Sequence, residues 1–129
     1  MGSTGQLIDI GGGYGQICQA LARHIQKLAF IVQDLPHVVE QARGTLPADF
    51  SARISFEAHN FMEPQEPDEK DSQSAFLINR CLHNWSDYHS SIILHSLIPA
   101  LRKGSKVLIW DSVLDDRPVK KLLERFNLQ

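Results

Sequence analysis

Residues 7 to 15 read Leu-Ile-Asp-Ile-Gly-Gly-Gly-Tyr-Gly, and no other stretch restricts the fold of this chain so strongly. Four residues, apolar except for Asp9, make a short buried strand that runs straight into Gly11, Gly12, Gly13 and Gly15. Glycine lets the backbone turn sharply and lets a ligand approach closer than a β-carbon would permit. Immediately beyond, Ile17, Leu21, Ile25 and Leu28 recur at helical spacing and predict a helix with one apolar stripe laid on a sheet. A buried strand, a glycine turn and an amphipathic helix open an α/β fold.

The same alternation continues along the chain. Short apolar runs at Leu7 to Ile10, Ala29 to Val32, Ile54 to Ala58, Ala75 to Ile78 and Lys106 to Leu114 predict five parallel strands, most of them buried on both faces. Ile54, Phe56 and Ala58 alternate with Ser55 and Glu57, which suits a strand near an edge. Pro36 fits the first turn of a second helix, with Val38, Val39 and Ala42 on one face and Gly44 at its end. Ser86 is placed to cap a third, whose Ile93, Leu94, Leu97 and Leu101 face the sheet until Pro99 loosens its last turns. Glu63 to Gln73, with two prolines and five carboxylates, is expected to be a solvated loop.

With 129 residues, of which 43% are hydrophobic and 22% charged, the chain has the size and composition of one soluble domain, and no linker divides residues 1 to 129. A formal charge of -2 and scattered Lys and Arg leave no basic stripe for phosphates, so nucleic acid is not an expected partner. No apolar run approaches the roughly 20 residues needed to cross a bilayer, and the first residues lack the features of a signal peptide. Cys18 and Cys81 are too few for a disulfide framework and lack zinc-site spacing; both read as small buried apolar residues. A cytoplasmic location is expected.

The glycine spacing discriminates between cofactors. A dinucleotide fingerprint, G-x-G-x-x-G, would need a third glycine at position 16, which is Gln16; the pattern here is G-x-G-x-G. Asp34 follows about 20 residues later, at the tip of the second strand, where a carboxylate can accept both hydroxyl protons of a ribose. Together they point to S-adenosylmethionine, a nucleoside cofactor without a pyrophosphate. The alternative is a tight turn beside a carboxylate that merely caps the helix at Pro36. Asp9, inside an apolar strand, is expected to brace the amides of the glycine loop, because a buried carboxylate needs hydrogen bonds.

With LIDIGGGYG, then FIVQDLPHVV, then LHNWSDYHSSIILHSLIPALRKGSKVLIWDSVL, the chain resembles the small-molecule O-methyltransferases of the plant caffeic acid type and their fungal secondary-metabolite relatives. The likeness spans residues 6 to about 116. It implies a Rossmann-like class I methyltransferase sheet, methyl transfer to a phenolic or enolic hydroxyl of a small secondary metabolite, and no metal. By position, Gly11 and Gly12 would meet the methionyl part of the cofactor, Asp34 its ribose, and Asn60 and Phe61 its adenine. His83 falls on the family's catalytic base. A phenol with a pKa near 10 is a poor nucleophile until an imidazole takes its proton. Asp111 stands where a glutamate usually orients that histidine.

Several positions depart from the family pattern. Asn60 replaces an aspartate, although its amide oxygen can still accept from an adenine amino group. Asn79 stands where lysine or arginine is usual. The family's N-terminal dimerisation domain and the two strands after the fifth are not recognisable, so the chain is expected to be the cofactor-binding part alone. The fifth strand would then present an apolar edge that invites self-association. An impaired remnant that acts by binding cofactor or a partner is the alternative function. His24, His37, His59, His89 and His95 read as surface residues, and Trp85 and Trp110 as core.

Overall fold

The structure, a computed structural model, describes residues 5–67, 73–79 and 85–111. Five strands are present among them: β1 (Gly5–Ile10), β2 (Leu28–Asp34), β3 (Ile54–Ala58), β4 (Gln73–Asn79) and β5 (Lys106–Trp110). They form one parallel sheet in the order β3-β2-β1-β4-β5. The α-helices among the described residues are α1 (Gln16–His24), α2 (Pro36–Arg43) and α3 (Asp87–Ser96). From β1 the chain lays β2 and β3 outward on one side, then crosses back to set β4 against β1's other edge. The reversal lies between β1 and β4, and ligands of open parallel sheets bind beyond the C-terminal strand ends at such a point.

Strand alternation divides the core between the two faces of the sheet. On one face Leu7, Phe30, Val32, Ile54, Phe56 and Leu77 pack against Cys18 and Ala22 of α1 and Val39 and Ala42 of α2. On the other, Ile8, Ile10, Phe76 and Ile78 pack beneath Ile93 and Leu97 of α3 and Ala100 in the following turn. Arg53 locks one corner by donating to the carbonyls of Ala22 at 2.7 Å, Leu28 at 3.3 Å and Ile25. It thereby ties the C-terminal end of α1 to the start of β2, where a cation suits the exposed carbonyls.

Most of the expected elements are found, with instructive differences. α1 ends at His24, because Ile25 turns to extended backbone while its amide still bonds the Leu21 carbonyl. Ile25 is exposed, and Leu28 belongs to β2, opposite Gly5. The apolar stripe of α1 is therefore Cys18 and Ala22 with Ile17 and Leu21 beside them. Ser86 caps α3 by accepting from the His89 amide at 3.3 Å, and Pro99 lies in a separate 3-10 turn after the helix. Gln73 joins β4 rather than the preceding loop. Gln65, expected to be solvated, is buried and exchanges two amide hydrogen bonds with Gln33.

β5 takes the apolar edge position expected of it, and its exposure extends to both faces of the strand. Every residue from Lys106 to Trp110 is exposed, and β4 is the strand's one sheet neighbour among the described residues. Trp110 is 60% exposed and Trp85 40%, so neither is core. Residues 112–114, expected to extend this strand, lie outside the described residues, as does Cys81. Among the described residues no helix is long and apolar enough to cross a membrane.

Candidate functional site

The glycine turn begins where β1 ends, at the reversal of strand order. Gly11, Gly13 and Gly15 have φ of 65°, 61° and 80°, left-handed values that strain any residue with a β-carbon. The Gly12 amide bonds the Gln33 carbonyl at 3.0 Å and the Gly15 amide bonds the Gly12 carbonyl at 3.1 Å, so the turn is stitched to β2 and to itself. Gly15 then opens α1.

Asp34, at the C-terminal tip of β2, faces this turn. Its Oδ2 accepts the Gly13 amide at 2.9 Å and its Oδ1 accepts the Leu35 amide at 2.7 Å. One carboxylate thus braces the glycine turn and the entry to α2, which starts at Pro36. The cap reading and the ligand reading of Asp34 are compatible, because each oxygen keeps acceptor capacity beyond its one amide. A β-carbon on Gly13 would meet nothing within 4 Å among the described residues. The described side chains leave open space on that side of the turn, as a seat for a nucleoside requires.

Asp9 is not placed as expected. Its side chain is 2% exposed and faces α1 rather than the loop amides. Oδ2 accepts from the Cys18 thiol at 3.8 Å, a weak bond, and Oδ1 has no hydrogen-bond partner among the described residues. The Gly13 amide is braced by Asp34 and the Gly12 amide by the Gln33 carbonyl instead. Strand alternation puts Asp9 on the α1 face beneath the turn, and among the described residues the Gly12 and Gly13 amides donate to the Gln33 carbonyl and to Asp34 rather than to it. Burial, with the nearby Asp34 charge, pushes the Asp9 carboxyl up to about 6 although Cys18 opposes the rise. The Cys18 thiol is held protonated by burial and by Asp9. Asp9 also explains Gly12, whose β-carbon would lie 2.5 Å from Asp9 Oδ2 and 2.8 Å from Val32. No side chain fits there without displacing the carboxylate.

After β3 the chain turns through Asn60 and Phe61, both half-buried. Asn60 Oδ1 accepts the Met62 amide at 3.0 Å. Phe61 packs against the core under α3 and meets Trp85 edge-on, with ring centroids 5.9 Å apart. This aromatic pair was not apparent from sequence, since Phe61 and Trp85 are 24 positions apart and no local pattern joins them. The Gln33 and Gln65 pair was equally hidden, although a polar residue inside a buried strand signals that some partner must exist. Asp111 is half-buried just after β5. His83 lies outside the described residues, and so does any contact between it and Asp111.

A family model described as the O-methyltransferase domain matches residues 1–128. The chain belongs to that family. Among curated O-methyltransferase relatives, O-methyltransferase sol2 of Alternaria solani is 42% identical over 129 residues, covering 97% of this chain and 30% of the relative. The solved mitomycin 7-O-methyltransferase MmcR superposes with a TM-score of 0.79 at 27% identity, over 97% of this chain and 36% of the other. LepI, solved in complex with SAM, superposes at 0.76 with 28% identity, over 98% of this chain and 31% of the other. The chain spans between 25% and 30% of the length of the first curated relatives it matches.

Holding Asp9 ionised in this O-methyltransferase domain costs stability. A carboxyl raised in the folded state stabilises the fold when protonated, and that contribution is lost as pH rises through about 6. Asp9→Asn is therefore expected to raise the unfolding free energy at pH 8, by on the order of 3 kcal/mol, and to bring a shrinking advantage as pH falls below 6. Urea denaturation across that range measures it. An Asp9→Asn effect independent of pH would contradict the assignment.

Proposed function

We propose that this chain is the cofactor-binding core of an S-adenosylmethionine-dependent O-methyltransferase acting on a phenolic or enolic hydroxyl of a small secondary metabolite. The observation that carries the reading is the open glycine turn held against Asp34 by the 2.9 Å bond from the Gly13 amide. Family membership and the SAM complex of LepI support the choice of cofactor. When bound, S-adenosylmethionine supplies a methyl group made electrophilic by a sulfonium.

The chain's own residues divide the remaining work. Gly11, Gly12 and Gly13 offer backbone rather than side chain to the methionyl part. Asp34 takes the ribose hydroxyls with acceptor capacity that the two amides leave free. Phe61, steadied by Trp85, flanks the adenine, and Asn60 meets its polar edge. His83 removes the acceptor hydroxyl proton, and Asp111 orients the imidazole. General-base catalysis of this kind is worth about 10²- to 10⁴-fold in rate. Residues 1–129 belong to one such domain, which works in the cytoplasm.

Calorimetric titration with S-adenosylhomocysteine tests the reading. Saturable heat is expected from this chain, with affinity falling about tenfold or more in Asp34→Ala, since a lost bond to a charged group is worth roughly 1.5–3 kcal/mol. His83→Ala is expected to retain binding while losing methyl transfer to a phenol. Absence of heat at millimolar ligand would refute the proposal.

The exposed apolar residues of β5 support a second claim, self-association of two copies through this strand. Sedimentation velocity is expected to show a concentration-dependent dimer that Ile109→Lys disperses. A monomer at all concentrations would rule it out.

A further inference from the structure

One buried group beside the glycine turn has no part in holding that turn. Among the described residues Asp9 Oδ1 has no hydrogen-bond partner, and Oδ2 has only the thiol of Cys18. Burying a carboxylate with so little compensation is costly for folding. Its position shows what the charge can act on. Asp9 Oδ2 lies where a Gly12 β-carbon would collide with it, so a single glycine separates the carboxylate from the outer surface of the turn, which is open at Gly13.

The titratable groups facing Asp9 are Cys18 on α1 and Asp34 at the end of β2. Cys18 is held neutral, so the turn carries the charge of two carboxylates. Their donors among the described residues are the Gly13 and Leu35 amides and the Cys18 thiol, all uncharged. An uncompensated negative potential of this kind favours a cationic ligand over a neutral one.

We propose that Asp9 is a specificity-determining residue that makes the site prefer the sulfonium form of the cofactor over the thioether left after transfer. This rests on the reading of the site as a seat for S-adenosylmethionine. In the transfer, the bond from sulfur to the methyl carbon breaks as the bond from oxygen to that carbon forms. Sulfur keeps the electron pair and becomes neutral, and the acceptor's proton leaves to the base. The two cofactor forms share their amino, carboxylate, ribose and adenine groups. The ratio of their affinities therefore isolates the response to the sulfonium charge, and a ligand that loses this charge is held less tightly and leaves more readily.

The test measures dissociation constants of S-adenosylmethionine and S-adenosylhomocysteine for this chain by calorimetry between pH 5 and 8. The ratio favouring the sulfonium form is expected to rise about tenfold with pH, with a midpoint near 6 where Asp9 ionises. In Asp9→Asn the ratio should be low and flat. Cys18→Ala removes the donor that favours the ionised carboxyl and should move the midpoint to higher pH, a second variant that tests the same carboxyl without replacing it. Binding of both ligands with a pH-independent ratio, or a rise that persists in Asp9→Asn, would overturn Asp9's role while leaving the cofactor reading intact. Binding of neither ligand would overturn both.

Discussion

The hydrogen bond from the Gly13 amide to Asp34 joins the ends of two strands and decides the shape of the site. Without it, a turn of glycines has many conformations available, and ordering it costs about 1–2 kcal/mol per residue. With it, the turn is fixed against β2 at one side chain and, through the Gly12 amide and the Gln33 carbonyl, at one backbone bond. The same carboxylate sets the entry to α2 through Leu35. Fold and site are therefore coupled at a single residue, and the parallel sheet brings that residue within reach of a turn 21 positions earlier.

Asp9 adds an opposing requirement beneath the turn. It forbids a side chain at Gly12 and so keeps the turn one backbone thick above the buried carboxylate. It also leaves an oxygen without a partner in the buried layer between β1 and α1. Stability and ligand preference thus pull the same carboxyl in opposite directions, since the fold favours the protonated form and a cationic ligand favours the ionised one.

Much of this was legible in the sequence because local chemistry dictates it. The run from Leu7 to Gly15, the proline at 36 and the serine at 86 each specify a backbone conformation through their own side chains or lack of them. The nearness of Asp34 to the turn followed from strand, helix and strand lengths alone. Long-range burial was not legible. Trp110 looks like core in a run of apolar residues, yet its exposure depends on which strands flank β5. Gln65 lies in an acidic, proline-rich stretch but finds Gln33 across 32 positions. The need of Asp9 for a partner was legible, but not the direction in which it would be met. The period of a strand gives the face a side chain takes, not whether neighbouring amides turn toward it.

The central claim is that the turn from Gly11 to Gly13 and Asp34 form the seat of the cofactor. Titration of the isotopically labelled chain with S-adenosylhomocysteine, followed by amide resonances, tests it at the residues themselves. The account predicts saturable shifts concentrated at Gly11, Gly12, Gly13 and Leu35, with residues of β5 unmoved. Shifts confined to other elements, in a chain whose spectrum shows it folded, would contradict it.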